Sequence, residues 1–166
     1  MRSVAELAPR VLDACRRRKA MLATAESCTG GMIAVALTDI AGSSDVVERG
    51  FVVYSNDAKR EMLGVPAELL ARHGAVSEEV ARAMAEGAVA RSRAAIAVSV
   101  TGVAGPGGGS AAKPVGLVHI ACAMDGRSTR HRREVFPGDR AAIRQATVVA
   151  ALELVLLVLE GDDRSS

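Results

Sequence analysis

Tryptophan is missing from this chain, and one tyrosine and two phenylalanines are its only large aromatics in 166 residues. Stacking of bases on aromatic side chains therefore has almost nothing to work with, which disfavours a single-stranded nucleic-acid binder. A core has to come from Ala, Val, Leu, Ile and Met, and the 49% hydrophobic composition supplies them. Cysteine is scarce: Cys15, Cys28 and Cys122 are odd in number and share no C-x-x-C spacing, so neither a disulfide framework nor a zinc site is indicated. A reducing cytoplasm is the compartment expected. An excess of one charge is also lacking, because 21 basic against 19 acidic residues leave a net charge of +2. That balance argues against nucleic acid as a partner and leaves room for a small anionic ligand. The N-terminus reads as no signal peptide, since Arg2, Glu6 and Arg10 interrupt its apolar residues. The longest apolar run, Ala150 to Leu159, falls short of the roughly 20 residues that span a bilayer, so it reads as a core helix and no membrane partner is expected.

What is present is an alternation of helical and strand-like segments. A chain of this size buries about 70% of its unfolded surface, enough for one domain over 1–166 with a polar tail at 160–166. Ser3 and Glu6 form a capping-box pattern ahead of a helix reaching about Arg18, with Pro9 inside it marking a kink or a later start. A buried strand follows at 20–25 and a helix at about 29–40. Val47 to Tyr54 reads as a second strand, and Asn56 is placed to cap a short helix that carries Lys59 and ends before Gly64. Pro66 suits the first turn of another helix, and Ser77 opens a longer one. The nearly all-apolar run 94–100 has the pattern of a central strand covered on both faces. After the glycine-rich loop 102–110, Val115 to Met124 and Ser128 to Val135 read as an antiparallel hairpin turning at Asp125-Gly126. The basic stretch 129–133 is expected to be a solvated edge strand, and a helix from Asp139 to Glu160 closes the chain. The pattern predicts an α/β fold: a three-layer α/β/α sandwich with a mixed, mostly parallel sheet and one antiparallel hairpin.

The chemistry concentrates in Glu26-Ser27-Cys28-Thr29-Gly30-Gly31, where a strand gives way to a helix. Glycines let the backbone approach a ligand, and the first N–H groups of the next helix lack intrahelical partners, so they can hold an oxyanion. Ser27 needs a base. The histidines, His73, His119 and His131, sit in ordinary settings, and His119 alternates among apolar neighbours as a structural residue would. Of the lysines, Lys19, Lys59 and Lys113, Lys59 shares the sheet edge of Ser27 if their two strands run parallel. Burial can lower such a lysine toward a useful base. Cys28 is a rival nucleophile, and the residues alone do not choose between it and Ser27. The 102–109 loop can cradle a phosphate or merely connect, and it does not fit the phosphate-binding loop of nucleotide hydrolases, because no Lys-Ser or Lys-Thr follows its glycines.

Ala25 to Gly31, Asp39 to Ser44, Gly50 to Asn56 and Thr101 to Gly109 together resemble the CinA C-terminal domain family, in order and spacing over nearly the whole chain. The resemblance implies an amidohydrolase that opens the carboxamide of nicotinamide mononucleotide, a small-molecule substrate, giving nicotinate mononucleotide and ammonia. It implies Ser27 as nucleophile, Lys59 as general base and Tyr54 as a helper that positions Ser27 or relays its proton. Gly30, Gly31, Thr101, Gly102, Gly105 and Arg140 would face substrate, with Arg144 one turn after Arg140 as a further ligand-holding residue. No cofactor and no metal is implied, and self-association into a homo-oligomer is common in families of this sort. Two departures stand out: Ala111-Ala112 replaces a proline and an acidic residue found in many relatives, and His119 stands where a tyrosine is frequent. A non-catalytic nucleotide-binding or regulatory domain, linked to competence or DNA damage, and a Cys28 thiol hydrolase are the alternatives.

Overall fold

The computed structural model describes residues 2–161; Met1 and, in the expected polar tail, residues 162–166 lie outside the described residues. The chain runs α1 (Val4–Arg18), β1 (Leu22–Glu26), α2 (Met32–Thr38), a single 3-10 turn at Ser43–Asp45, β2 (Val47–Val52), α3 (Asn56–Leu63), α4 (Ala67–His73), α5 (Glu78–Ala90), β3 (Ile96–Gly102), β4 (Leu117–Met124), β5 (Arg130–Val135) and α6 (Arg140–Glu160). Helix α1 begins where the Ser3 and Glu6 side chains cap each other's backbone N–H, and it continues through Pro9. Helix α3 is capped by Ser55 and not Asn56: Ser55 has the extended backbone of a cap and its hydroxyl accepts from Ala58 N–H. Pro66 stands just before α4 and not in its first turn, its fixed φ serving the approach to the helix.

The strands order as β2-β1-β3-β4-β5. Strand β1 pairs parallel with β2 and β3, whereas β4 is antiparallel to both β3 and β5, so four strands share one direction in a mixed sheet with β3 at its centre. Alternation along the strands sorts side chains to two faces. Ile96, Val98 and Val100 join Leu22, Val118 and Ile120 under α1, α2 and α6. Ala97, Ala121 and Ala123 face α5, whose Ala81, Ala85 and Ala88 are equally small. That alanine-on-alanine interface lets helix and sheet approach closely, and it explains how a core forms with so few aromatics. Gly87 belongs to the same logic, because a Cβ there would meet the Leu63 carbonyl at 2.1 Å, where α5 crosses the end of α3.

Helix α6 is long and apolar enough by composition to cross a membrane, yet 61% of its most apolar stretch is buried inside the fold. Its Leu152, Val155 and Leu159 belong to the α1–α6 core, in agreement with the core-helix reading. The chain leaves β1 toward β2 on one side and leaves the adjacent, parallel β3 toward β4 on the other, which opens a crevice beyond the carboxyl ends of β1 and β3. Glu26 is in register with Val52 and with Val100, so the segments after those residues leave the sheet side by side.

Candidate active site

Beyond β1 the chain turns sharply at Ser27–Gly31. The Ser27 N–H still donates to the Val100 carbonyl at 3.1 Å, so Ser27 is held at the sheet's edge while the next residues turn away. Gly30 and Gly31 carry φ of +59° and +111°, a region that other residues enter only with strain, and α2 starts after them at Met32, not at 29. The first N–H groups of α2 are not free. Glu26, fully buried, accepts from Ile33 N–H at 2.8 Å, from Ala34 N–H at 3.1 Å and from the Thr29 hydroxyl at 2.5 Å. An oxyanion therefore has to look earlier in the turn. Among the described residues, no carbonyl or carboxylate oxygen accepts from the N–H of Cys28 or Thr29. Sequence reasoning passed over Glu26, although a carboxylate just ahead of a helix start is a natural acceptor for its unpaired donors.

Lys59 enters from the first turn of α3. It is 1% exposed, its Nζ lies 3.1 Å from Ser27 Oγ, and it donates to the Tyr54 carbonyl at 3.3 Å. Burial holds its pKa below the ordinary lysine value, and the nearby Cys28 opposes that in smaller part. The Nζ–Oγ contact is within the range a general base requires, so a deprotonated Lys59 can take the serine proton along it. Cys28 lines the same cleft beside Ser27. Burial pushes its thiol up to about 11, and it packs in the α1–α6 core with 7% exposure.

These groups open onto a cleft of about 220 Å³ lined by Ser27, Tyr54, Asn56, Lys59, Thr101 and Arg140, with Gly102 beside Thr101. Thr101 is buried and donates to the Ala75 carbonyl at 2.9 Å, so it shapes the floor with its hydroxyl proton already committed. Arg140 forms the rim: one arm donates to the Gly105 carbonyl at 2.7 Å and the other to the Tyr54 hydroxyl at 3.2 Å. The Tyr54 ring is 64% exposed, and its hydroxyl meets Arg140 while its backbone carbonyl meets Lys59. A cationic rim over a buried serine suits a ligand with an anionic end.

Gly30, Gly31 and Arg144 line a separate groove of about 350 Å³ on the other side of the turn, together with Gln145 and apolar side chains of α2. Arg144 reaches the turn itself, donating from Nε to the Cys28 carbonyl at 3.1 Å and from Nη2 to the Thr29 carbonyl at 3.2 Å. The histidines stay away from Ser27. His119 and His131 approach to 2.9 Å and stack on each other across the β4–β5 pair, and His73 lies near Glu79. Strand β5 is half-buried along this pair, not fully solvated as its basic sequence suggests. Lys113, shortly after the glycine-rich loop, donates to the His73 carbonyl and Lys19 ends α1, so neither competes with Lys59. No three His, Cys, Asp or Glu side chains among the described residues cluster as a metal-binding group.

The family model of the CinA C-terminal domain matches residues 4–159. Nicotinamide-nucleotide amidohydrolase PncC of Escherichia coli K12 is 53% identical over 148 residues, covering 89% of this chain and 90% of that protein. A CinA-like protein of Syntrophobacter fumaroxidans is also 53% identical, over 149 residues that make up 34% of its length. Among solved structures, the competence/damage inducible protein CihA from Agrobacterium tumefaciens superposes with a TM-score of 0.91 at 55% identity, covering 95% of each chain.

Proposed function

Because the chain belongs to the CinA C-terminal domain family, we propose that it hydrolyses the carboxamide of a nicotinamide nucleotide, with Ser27 as nucleophile and Lys59 as base. The relative named for that activity is matched over 90% of its length. In the forward step Ser27 Oγ attacks the amide carbon while Lys59 takes the hydroxyl proton. The carbonyl oxygen becomes an oxyanion facing the N–H groups of Cys28 and Thr29. The C–N bond then breaks, Lys59 returns the proton to the departing nitrogen, and ammonia leaves an acyl-serine. A water molecule, deprotonated by Lys59, attacks that ester and releases the carboxylate while Ser27 regains its proton. Arg140 and Tyr54 at the rim fit the phosphate end of nicotinamide mononucleotide, since a guanidinium and a phenol hydroxyl are donors suited to an anion.

The observation that carries this reading is the 3.1 Å approach of a buried lysine amine to a serine hydroxyl at the mouth of a cleft. Ammonia release from nicotinamide mononucleotide tests it. The expected result is turnover by the wild type, loss of at least about 1,000-fold in Ser27→Ala, and retention of most activity in Cys28→Ser. Equal rates in wild type and Ser27→Ala would overturn it, and loss confined to Cys28→Ser would move the nucleophile to the thiol.

A further inference from the structure

Two charged side chains grip the turn after Ser27, and neither lines the cleft where the reaction is placed. Glu26 takes the Thr29 hydroxyl and two backbone N–H groups of α2. Arg144 takes the carbonyls of Cys28 and Thr29 and lines the groove behind the turn. A trans peptide points its C=O and its N–H in opposite directions. The Cys28 carbonyl and the Thr29 N–H share one such unit, so a carbonyl directed at Arg144 sends the Thr29 N–H away from it. The Ser27 carbonyl accepts from Gly30 N–H, which in the same way orients the Cys28 N–H opposite to that bond. A guanidinium on the carbonyl oxygen also draws electron density from the peptide unit, which strengthens its N–H as a donor.

We infer that Arg144 is a positioning residue for the oxyanion donors and does not anchor substrate: by holding the Cys28 carbonyl it aims and strengthens the Thr29 N–H, and by holding the Thr29 carbonyl it orients the Gly30 N–H, whose bond to the Ser27 carbonyl in turn sets the Cys28 N–H. Glu26 completes the clamp by fixing the Thr29 side chain and the start of α2. The inference rests on the amidase reading given above. It differs from a substrate-anchoring role in what its loss does, since an oxyanion donor acts on the tetrahedral state far more than on the bound amide.

The experiment compares wild type, Arg144→Gln and Arg144→Lys, each first checked by Tm, in steady-state kinetics with nicotinamide mononucleotide and in calorimetric binding of pyridine-3-boronic acid, which forms a tetrahedral adduct on a serine. In Arg144→Gln, kcat is expected to fall about 10- to 100-fold, with KM within twofold and boronate affinity weakened by a similar factor. Arg144→Lys keeps the charge but loses the two-pronged geometry and recovers only part of both. A rise in KM with kcat unchanged would overturn the inference in favour of substrate anchoring, as would a fall in kcat with boronate affinity unaltered. Absence of ammonia release from the wild type would overturn the amidase reading instead. The boronate titration still tests the donors in that event, because equal affinity in wild type and Arg144→Gln contradicts the clamp with no turnover needed. If Arg144→Gln does not fold, Arg144→Lys and Glu26→Gln carry the same comparison.

Discussion

At neutral pH the Lys59 amine lies 1% exposed beneath the cleft, where its charged form loses most of its hydration. Its pKa is depressed by burial, so between that lowered value and about 10.4 the unfolded chain binds a proton that the folded chain does not. Folding stability therefore rises with pH across that window, and the cost of burying the lysine is fully present below it. Lys59→Met is expected to raise Tm at neutral pH while lowering kcat by about 100- to 10,000-fold. In the wild type, kcat/KM should climb with pH along a limb whose midpoint lies below the ordinary lysine value. A wild-type limb centred at or above that value would show that Lys59 is not the base. Apart from the family resemblance, the sequence marked Lys59 only by its place after the second strand. What it withheld was the direction of that strand, since alternation of apolar residues is the same in parallel and antiparallel neighbours.

Strand β1 is buried at every position, and its polar residues separate into one with a task and one without. Glu26 satisfies three donors of the turn, whereas Thr24 Oγ1 is buried with no hydrogen-bond partner among the described residues. A buried hydroxyl without a partner costs about 1–3 kcal/mol, so Thr24→Val is expected to stabilise the fold by about 1 kcal/mol. Thermal unfolding should show Tm higher by about 2–4 °C, and a lower Tm would mean that the hydroxyl is satisfied. Elements with local grammar were legible: the Ser3–Glu6 capping box, Gly64 closing α3, and Asp125-Gly126 turning β4 into β5. The start of α2 was not. Its delay to Met32 depends on a carboxylate outside the helix and on two left-handed glycines, and apolar periodicity carries no trace of either.

Across the whole molecule the three layers follow from alternating helices and strands, but the contacts that join distant segments do not. His119 and His131 illustrate this: the register pairs His131 with Ala121, which sets His119 diagonally beside it on the same face. Burial and the neighbouring His131 hold His119 down from 6.5 to about 4, despite Glu78 and Glu79 nearby. Between those values the unfolded chain takes up a proton that folded His119 refuses, so its contribution to stability is present above 6.5 and lost as pH falls toward about 4. Chemical denaturation from pH 7 to 4 should show a decline smaller by about 1–2 kcal/mol in His119→Phe than in the wild type, and equal slopes would contradict this. The cleft is a similar product of the whole fold, since Ser27, Lys59, Thr101 and Arg140 come from four separate elements or their ends. The family resemblance could assemble them from sequence because it carries the spacing of all four segments at once, which no local pattern does. The most direct test of Ser27 as the nucleophile opened by Lys59 is mass spectrometry of protein quenched in acid during turnover of nicotinamide mononucleotide. Fragmentation of the modified peptide is expected to place the acyl nucleotide on Ser27 itself, and no adduct forms in Ser27→Ala. An adduct on Cys28, or turnover with no acyl-enzyme in rapid-quench samples, would contradict it.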